Sequence, residues 1–187
     1  MAYRKGSPGM KALVVFYSRT GVTKRAANAM ADECRAAGMD TAVEEIIDKR
    51  NRRGVINWFR AGRDAMRRRL TEIEAPKLRP GDFDAVAIGT PVWGWNMTPA
   101  VRTYLQEKGG GIRKAAFFCT MGGSGAQKTF AEMEKIIGRH PAASLALLTE
   151  DVRKNAPEGF TSRVKQFVTV FLREGHEDGG KKTGGQA

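Results

Sequence analysis

The chain has 187 residues, 41% of them hydrophobic, and carries a formal net charge of +12. That length suits a single domain with a full core, and no apolar run approaches the ~18–20 residues of a membrane-spanning helix, so no span is expected. The excess of positive charge invites acidic partners: nucleic acid, anionic lipid or an acidic protein surface.

Residues 1–10 contain Gly6, Pro8 and Gly9 and read as a flexible arm. They are charged and lack an apolar h-region, so no secretory signal is expected there. A first strand is predicted over about 11–17, apolar almost throughout, as in strands covered on both faces. The segment Tyr17-Ser18-Arg19-Thr20-Gly21-Val22-Thr23-Lys24 then leads into a helix over about 22–37, which Gly38 stops. Hydroxyls and backbone amides between a buried strand and a helix start suit an anion such as phosphate, because the helix N-terminus adds favourable partial charge. An ordinary connection with Ser or Thr as N-cap is the plain alternative. The segment is neither a Walker A motif nor a Gly-x-Gly-x-x-Gly fingerprint.

A second strand follows at about 41–47. Residues 48–81 are too long for a plain connection. Val55, Trp58, Phe59, Met66 and Leu70 recur near helical spacing, which predicts an inserted amphipathic helix over about 54–70. Its other faces are basic: Lys49, Arg50, Arg52, Arg53, Arg60, Arg63, Arg67, Arg68 and Arg69 face only Asp64 in this stretch. A solvated helix face or an acidic docking partner would account for them. The insert is placed to cover a ligand, form a dimer surface or pack on the sheet; the residue pattern leaves these open.

A third strand is predicted at about 84–90, followed by the loop Pro91-Val92-Trp93-Gly94-Trp95-Asn96-Met97. Thr98 and Pro99 form an N-cap and first-turn pair for the next helix. A fourth strand at about 114–120 runs into Thr120-Met121-Gly122-Gly123-Ser124-Gly125, and the helix after it ends at Gly138. A fifth strand at about 143–149 and a last helix near 159–173 complete the core, taken as about 11–173. Residues 175–187 are rich in Gly and Lys and read as a disordered tail. Cys34 and Cys119 lack metal-ligand spacing and read as core thiols, which suits a reducing cytoplasm. His140 and His176 have no partners that suggest a metal, and no side chain stands out as catalytic acid, base or nucleophile.

Five apolar strands alternating with helices predict an α/β fold, a doubly wound parallel sheet with helices on both faces. Ligands of such sheets sit beyond the C-terminal strand ends. The loops 18–23, 91–97 and 120–125 all fall at that end. The first offers phosphate donors. The second offers Trp93 and Trp95 for stacking on a planar ring. The third offers backbone that can approach a ring edge. Adenine, guanine and flavin mononucleotides all meet that description.

With these motifs the chain resembles the flavodoxin family. Ser18-Arg19-Thr20-Gly21-Val22-Thr23 matches that family's phosphate-loop pattern, Thr/Ser-x-Thr-Gly-x-Thr. Gly-Thr-Pro-Val-Trp at 89–93 and Thr-Met-Gly-Gly-Ser-Gly at 120–125 resemble its two flavin-contact loops. The resemblance implies strand order 2-1-3-4-5 and FMN as cofactor. It implies Ser18, Thr20 and Thr23 on the phosphate, with Arg19, Gly21 and Val22 in the same loop. Pro91, Val92, Trp93, Gly94, Trp95 and Asn96 would lie beside the isoalloxazine. Thr120, Met121, Gly122, Gly123 and Ser124 would meet the ring edge. Electron-carrier flavodoxins are strongly acidic, whereas this chain is basic and carries an insert. A less reducing flavin is the expected consequence, since nearby cations favour the reduced, negatively charged form.

The leading reading is an FMN redox protein passing electrons to an acidic redox partner. An NAD(P)H-dependent reductase acting on a quinone-like acceptor is the alternative. A basic module on nucleic acid or a membrane surface ranks third, because the aromatic interleaving of single-strand binders is sparse. A response-regulator receiver is excluded, since Phe16-Tyr17-Ser18 lacks the acidic residues it needs. Oligomeric state is not legible in the residues.

Overall fold

Leu13 and Val15 face one layer of helices while Val14 and Phe16, alternating with them, face the other; all four are buried. That alternation explains why the first strand reads as a continuous apolar run: both faces of the sheet are covered. The computed structural model describes residues 9–50 and 62–172. Residues 1–8 of the expected arm at 1–10, the tail from 175 and the insert's Val55, Trp58 and Phe59 lie outside the described residues.

In chain order the described elements are β1 (Lys11–Phe16), α1 (Val22–Ala36), β2 (Asp40–Glu45), β3 (Ala85–Pro91), α2 (Pro99–Lys108), β4 (Ala115–Met121), α3 (Ala126–Ile137), β5 (Ala143–Leu148), α4 (Thr149–Lys154) and α5 (Ser162–Leu172). The five strands form one parallel sheet in the order β2-β1-β3-β4-β5. α1 and α5 cover one face, with Met30, Cys34, Phe118, Leu147, Phe167 and Phe171 in the core between them. α2 and α3 cover the other, around Ile88, Tyr104, Leu105, Phe117 and Met133. The chain reverses its winding between β1 and β3, so the loops after these strands part there and open a crevice.

Three local features depart from the sequence expectation. The connection after β5 starts with the short helix α4, and α5 begins at Ser162 after a π-helical turn, Pro157–Thr161. Apolar spacing picked up the start of this region at Phe160 but not the change of winding. The insert is helical over 62–66 within the described residues and does not continue to Leu70, which is exposed. Arg68 adopts φ 54, its amide bonds to the carbonyl of Ala65, and the Arg69 amide bonds to that of Asp64. This is a Schellman stop with arginine where glycine is usual, so no glycine in the sequence announces it. Beyond the stop, the chain runs back across the domain. Thr71 donates its amide to Thr103 Oγ1 on α2 at 3.1 Å, and Ile73 bridges to Asp48. The amides of Lys77 and Leu78 donate to Glu44 Oε1 on the edge strand β2.

Candidate functional site

The loop after β1 is set by Gly21, which occupies the N-cap of α1 at φ 83. Only glycine takes that left-handed conformation without steric cost, which excludes the Ser or Thr cap that was the plain alternative. No side chain caps α1, so its first amides are open to a ligand. In the connection that leads to them, Ser18 Oγ is buried and has no hydrogen-bond partner among the described residues. A buried hydroxyl of this kind costs about 1–3 kcal/mol unless something pairs with it. Thr23 is also buried, and its Oγ1 lies 2.8 Å from Thr120 Oγ1 at the end of β4. One of the two hydroxyls donates to the other, so the acceptor keeps its own proton for a further bond.

The loop after β3 is a tight reversal. The Trp93 amide donates to the Asn96 carbonyl at 2.9 Å and the Asn96 amide returns the bond to Trp93 at 3.0 Å. Gly94 and Trp95 between them have φ 52 and 57, the signs of a type I′ turn. A left-handed L-residue costs about 1–2 kcal/mol, so Trp95 is held there by its surroundings. Its indole N–H donates to Ser124 Oγ at 3.2 Å. A Cβ on Gly125 would lie 3.0 Å from Trp95 Cα and 2.8 Å from Val92 Cγ1, so the third loop packs closely beneath the turn. Trp93 stands edge-on to Tyr17, ring centroids 5.6 Å apart. The loop is fixed at both ends. Val92 donates its amide to Thr120, and the Thr98 amide donates to the buried Thr90 Oγ1.

Asn96 is buried, and its Oδ1 accepts from the Met97 amide at 2.9 Å and from Arg102 Nη2 at 3.0 Å. Arg102, 4% exposed on α2, also donates to Glu132 Oε2 at 3.3 Å, and Glu132 Oε1 accepts from Arg68 Nη2 at 2.6 Å. Burial pulls the Arg102 guanidinium below its ordinary value, opposed by Glu132. Burial alone would raise the Glu132 carboxyl, but bonds and charge from Arg68 and Arg102 outweigh it and hold Glu132 below the ordinary carboxylate range. Elsewhere in the insert, buried Asp64 accepts from Arg50 and Arg69, and Lys49 pairs with Glu72. The arginine-rich stretch is therefore partly neutralised by carboxylates, some of them distant in sequence.

These loops enclose a cavity of about 520 Å³ at the C-terminal end of the sheet, within the usual range for cofactor sites, about 300–1,000 Å³. Of the first loop, Arg19, Thr20, Val22 and Thr23 line it. Pro91, Val92, Trp93 and Gly94 line it from the second, and Thr120, Met121 and Gly122 from the third. The remaining expected residues stand around it. Ser18 lies next to the lining residue Arg19, and Gly21 lines a neighbouring surface groove. Trp95 is exposed beside Ser124, Asn96 faces Arg102, and Gly123 and Ser124 are exposed outside the lining. Sequence reasoning missed Gly62, Arg63, Met66 and Thr149 in the lining. Thr149 was detectable as the residue following a fifth strand end. The other three belong to the insert, whose apolar spacing left open whether it covers a ligand, forms a dimer surface or packs on the sheet. A Cβ on Gly94 would lie 2.3 Å from Met66 Cγ and 2.9 Å from the Gly62 carbonyl, so this segment packs directly on the tryptophan turn.

The cysteines take no part. Cys34 and Cys119 are free and buried, and burial pushes both thiols up to about 12, which makes them inert at neutral pH. Among the described residues there is no cluster of His, Cys, Asp and Glu able to hold a metal, and no helix is long and apolar enough to cross a membrane.

Comparison with known proteins agrees with the fold. The sequence profile of the flavodoxin family, described as Flavodoxin, matches residues 11–156. A protein named NAD(P)H dehydrogenase (quinone) 3, from Rhizobium meliloti (strain 1021), is 30% identical over 103 residues, covering 54% of this chain and 44% of its own length. The chain thus aligns with less than half of that curated relative. Among solved structures, a flavoprotein in complex with FMN from Lactobacillus acidophilus NCFM superposes with TM-score 0.64 at 19% identity, covering 78% of this chain and 97% of its own. The two-electron reduced flavodoxin of Megasphaera elsdenii gives TM-score 0.55 at 16% identity, covering 87% and 99%.

Proposed function

Because this chain belongs to the flavodoxin family, we propose that it binds FMN non-covalently in the cavity and serves as an electron-transfer flavoprotein. The observation that carries this reading is the buried Ser18 Oγ, without a partner among the described residues, in the short connection to the uncapped N-terminus of α1, a donor set suited to a phosphate. Thr20, the shared Thr23–Thr120 hydroxyls and the first amides of α1 complete the anion end. Arg19 and Arg63 add positive charge on the cavity. Trp93, the Gly94 backbone, Val92, Met121 and Met66 form an apolar slot for a flat ring, with Met66 closing it from the insert side. FMN, when bound, supplies the redox chemistry. The residues of the chain anchor the phosphate, hold the ring between side walls and limit the access of water. Exposed Trp95, on the loop that lines the cavity with these arginines, suits an acidic redox partner docking near the ring, and the two free core thiols suit a reducing cytoplasm.

A second reading is an NAD(P)H-dependent reductase acting on a quinone-like acceptor, favoured by the named activity of the Rhizobium meliloti relative. The test has two stages. Purified protein is given FMN, freed of excess and scanned in the visible range. A retained flavin band with quenched fluorescence supports the cavity reading, and a folded protein that retains none contradicts it. NADPH is then added without oxygen. Rapid bleaching assigns the reductase; bleaching only after a separate reducing partner is supplied assigns the carrier.

A further inference from the structure

Arg102 and Glu132 touch no part of the cavity, yet each end of their bond pair is attached to one of its walls. Asn96, closing the tryptophan turn, accepts from Arg102; Glu132 joins Arg102 to Arg68, whose segment carries Gly62, Arg63 and Met66 over the cavity. Arg68 is the informative member. It sits at the helix-stop position where glycine is favoured, at φ 54, so its backbone is strained for the sake of something. Its side chain leaves the insert and reaches Glu132, 64 residues away, at 2.6 Å. A residue whose sole task was to end the helix would be better replaced by glycine.

We propose that Arg68, Glu132 and Arg102 are positioning residues that latch the insert onto the tryptophan turn, so that the covering segment and the ring wall hold their places as one unit. In affinity terms the proposal rests on the cavity reading above; in structural terms it stands independently. Asn96, held by Arg102, fixes the turn from below. Met66, packed against the Gly94 backbone, fixes it from above. The Arg68–Glu132 bond joins the two supports.

Hydrogen exchange on the FMN-free chain tests this with the variant Arg68→Gly, which keeps the helix stop and relieves its strain while removing the latch. The expected result is a melting temperature equal to or above that of the parent. Exchange should accelerate about fivefold or more in peptides covering both 62–69 and 91–97, with the central strands unaffected. Glu132→Gln should accelerate the same two segments. Unchanged exchange at 91–97 in Arg68→Gly overturns the proposal, as does acceleration spread evenly over the sheet. FMN titration of the same variants, expected to show roughly fivefold weaker binding, is read separately. If the parent binds no FMN, the cavity reading fails and the exchange result still decides the latch.

Discussion

At the end of the cavity proposed for the anion, most donors come from the β1–α1 connection, a hydroxyl and backbone amides, joined to β4 by the Thr23–Thr120 hydroxyl pair. At the end proposed for the ring, shape comes from the left-handed residues Gly94, Trp95 and Arg68, and from Arg102 and Arg68, which Glu132 joins from 30 and 64 residues away. The first wall is mostly local: one glycine at φ 83 and one uncapped helix set it, and Thr120 is its one distant contributor. The second is assembled from the insert, the β3–α2 turn and α3, which meet through Met66 against Gly94 and through Arg68, Glu132 and Arg102. The same ligand would thus meet one wall preset by topology and another that depends on long-range contacts. Substitutions at the two ends should accordingly differ in kind, not merely in size.

The sharpest break is Gly94→Ala. It places a Cβ at φ 52, within 2.9 Å of the Gly62 carbonyl and against Met66. The turn must deform or the covering segment must lift. We expect a loss in FMN affinity of about 2 kcal/mol, roughly thirtyfold, by fluorescence titration. Secondary structure by circular dichroism should be retained, because the sheet lies below the turn. At the other wall, Ser18→Ala should act with opposite signs on the two states. Removing a buried, unpaired hydroxyl should leave the FMN-free protein as stable as the parent or more stable, by about 1 kcal/mol in urea unfolding. Loss of a bond to phosphate should weaken FMN about tenfold, or about 1.4 kcal/mol. A Ser18→Ala protein that is less stable without ligand and unchanged with it would mean that the hydroxyl has a structural partner.

The smallest effect is one of pH. Glu132 is held below the ordinary carboxylate value of 4.5, so its contribution is fully present above that value and is lost as pH falls through the depressed one. Acidification below the ordinary carboxylate range should therefore loosen the insert and the tryptophan turn through this group. Hydrogen exchange at 91–97, followed downward in pH, should show a step that Glu132→Gln lacks. Equal profiles for parent and variant would remove Glu132 from the account.

This division also explains what could be read without coordinates. Runs such as Leu13-Val14-Val15-Phe16 and Ala85-Val86-Ala87-Ile88, punctuated by Gly38 and Gly138, write the sheet and its helices into local pattern. The strand-to-helix connection at 17–24 was equally legible, as Ser, Thr and Gly at fixed spacing after a strand. The covering role of 62–66 was not, because apolar periodicity says that a face is buried without saying against what. The helix stop at Arg68 was invisible, since the conformation that usually calls for glycine is taken by an arginine. The resemblance implied Asn96 beside the ring; what it did not announce is that the Asn96 side-chain oxygen accepts from Arg102, a residue whose burial no local pattern signals.

The central claim is that one end of this cavity is built for a phosphate. It is tested most directly by calorimetric titration of the FMN-free protein with FMN and, in parallel, with riboflavin, which lacks the phosphate. The account predicts saturable binding of FMN and riboflavin affinity weaker by about a hundredfold, near 3 kcal/mol, for the loss of several charge-assisted hydrogen bonds. Equal affinity for the two ligands, or binding of neither by the folded chain, would contradict it.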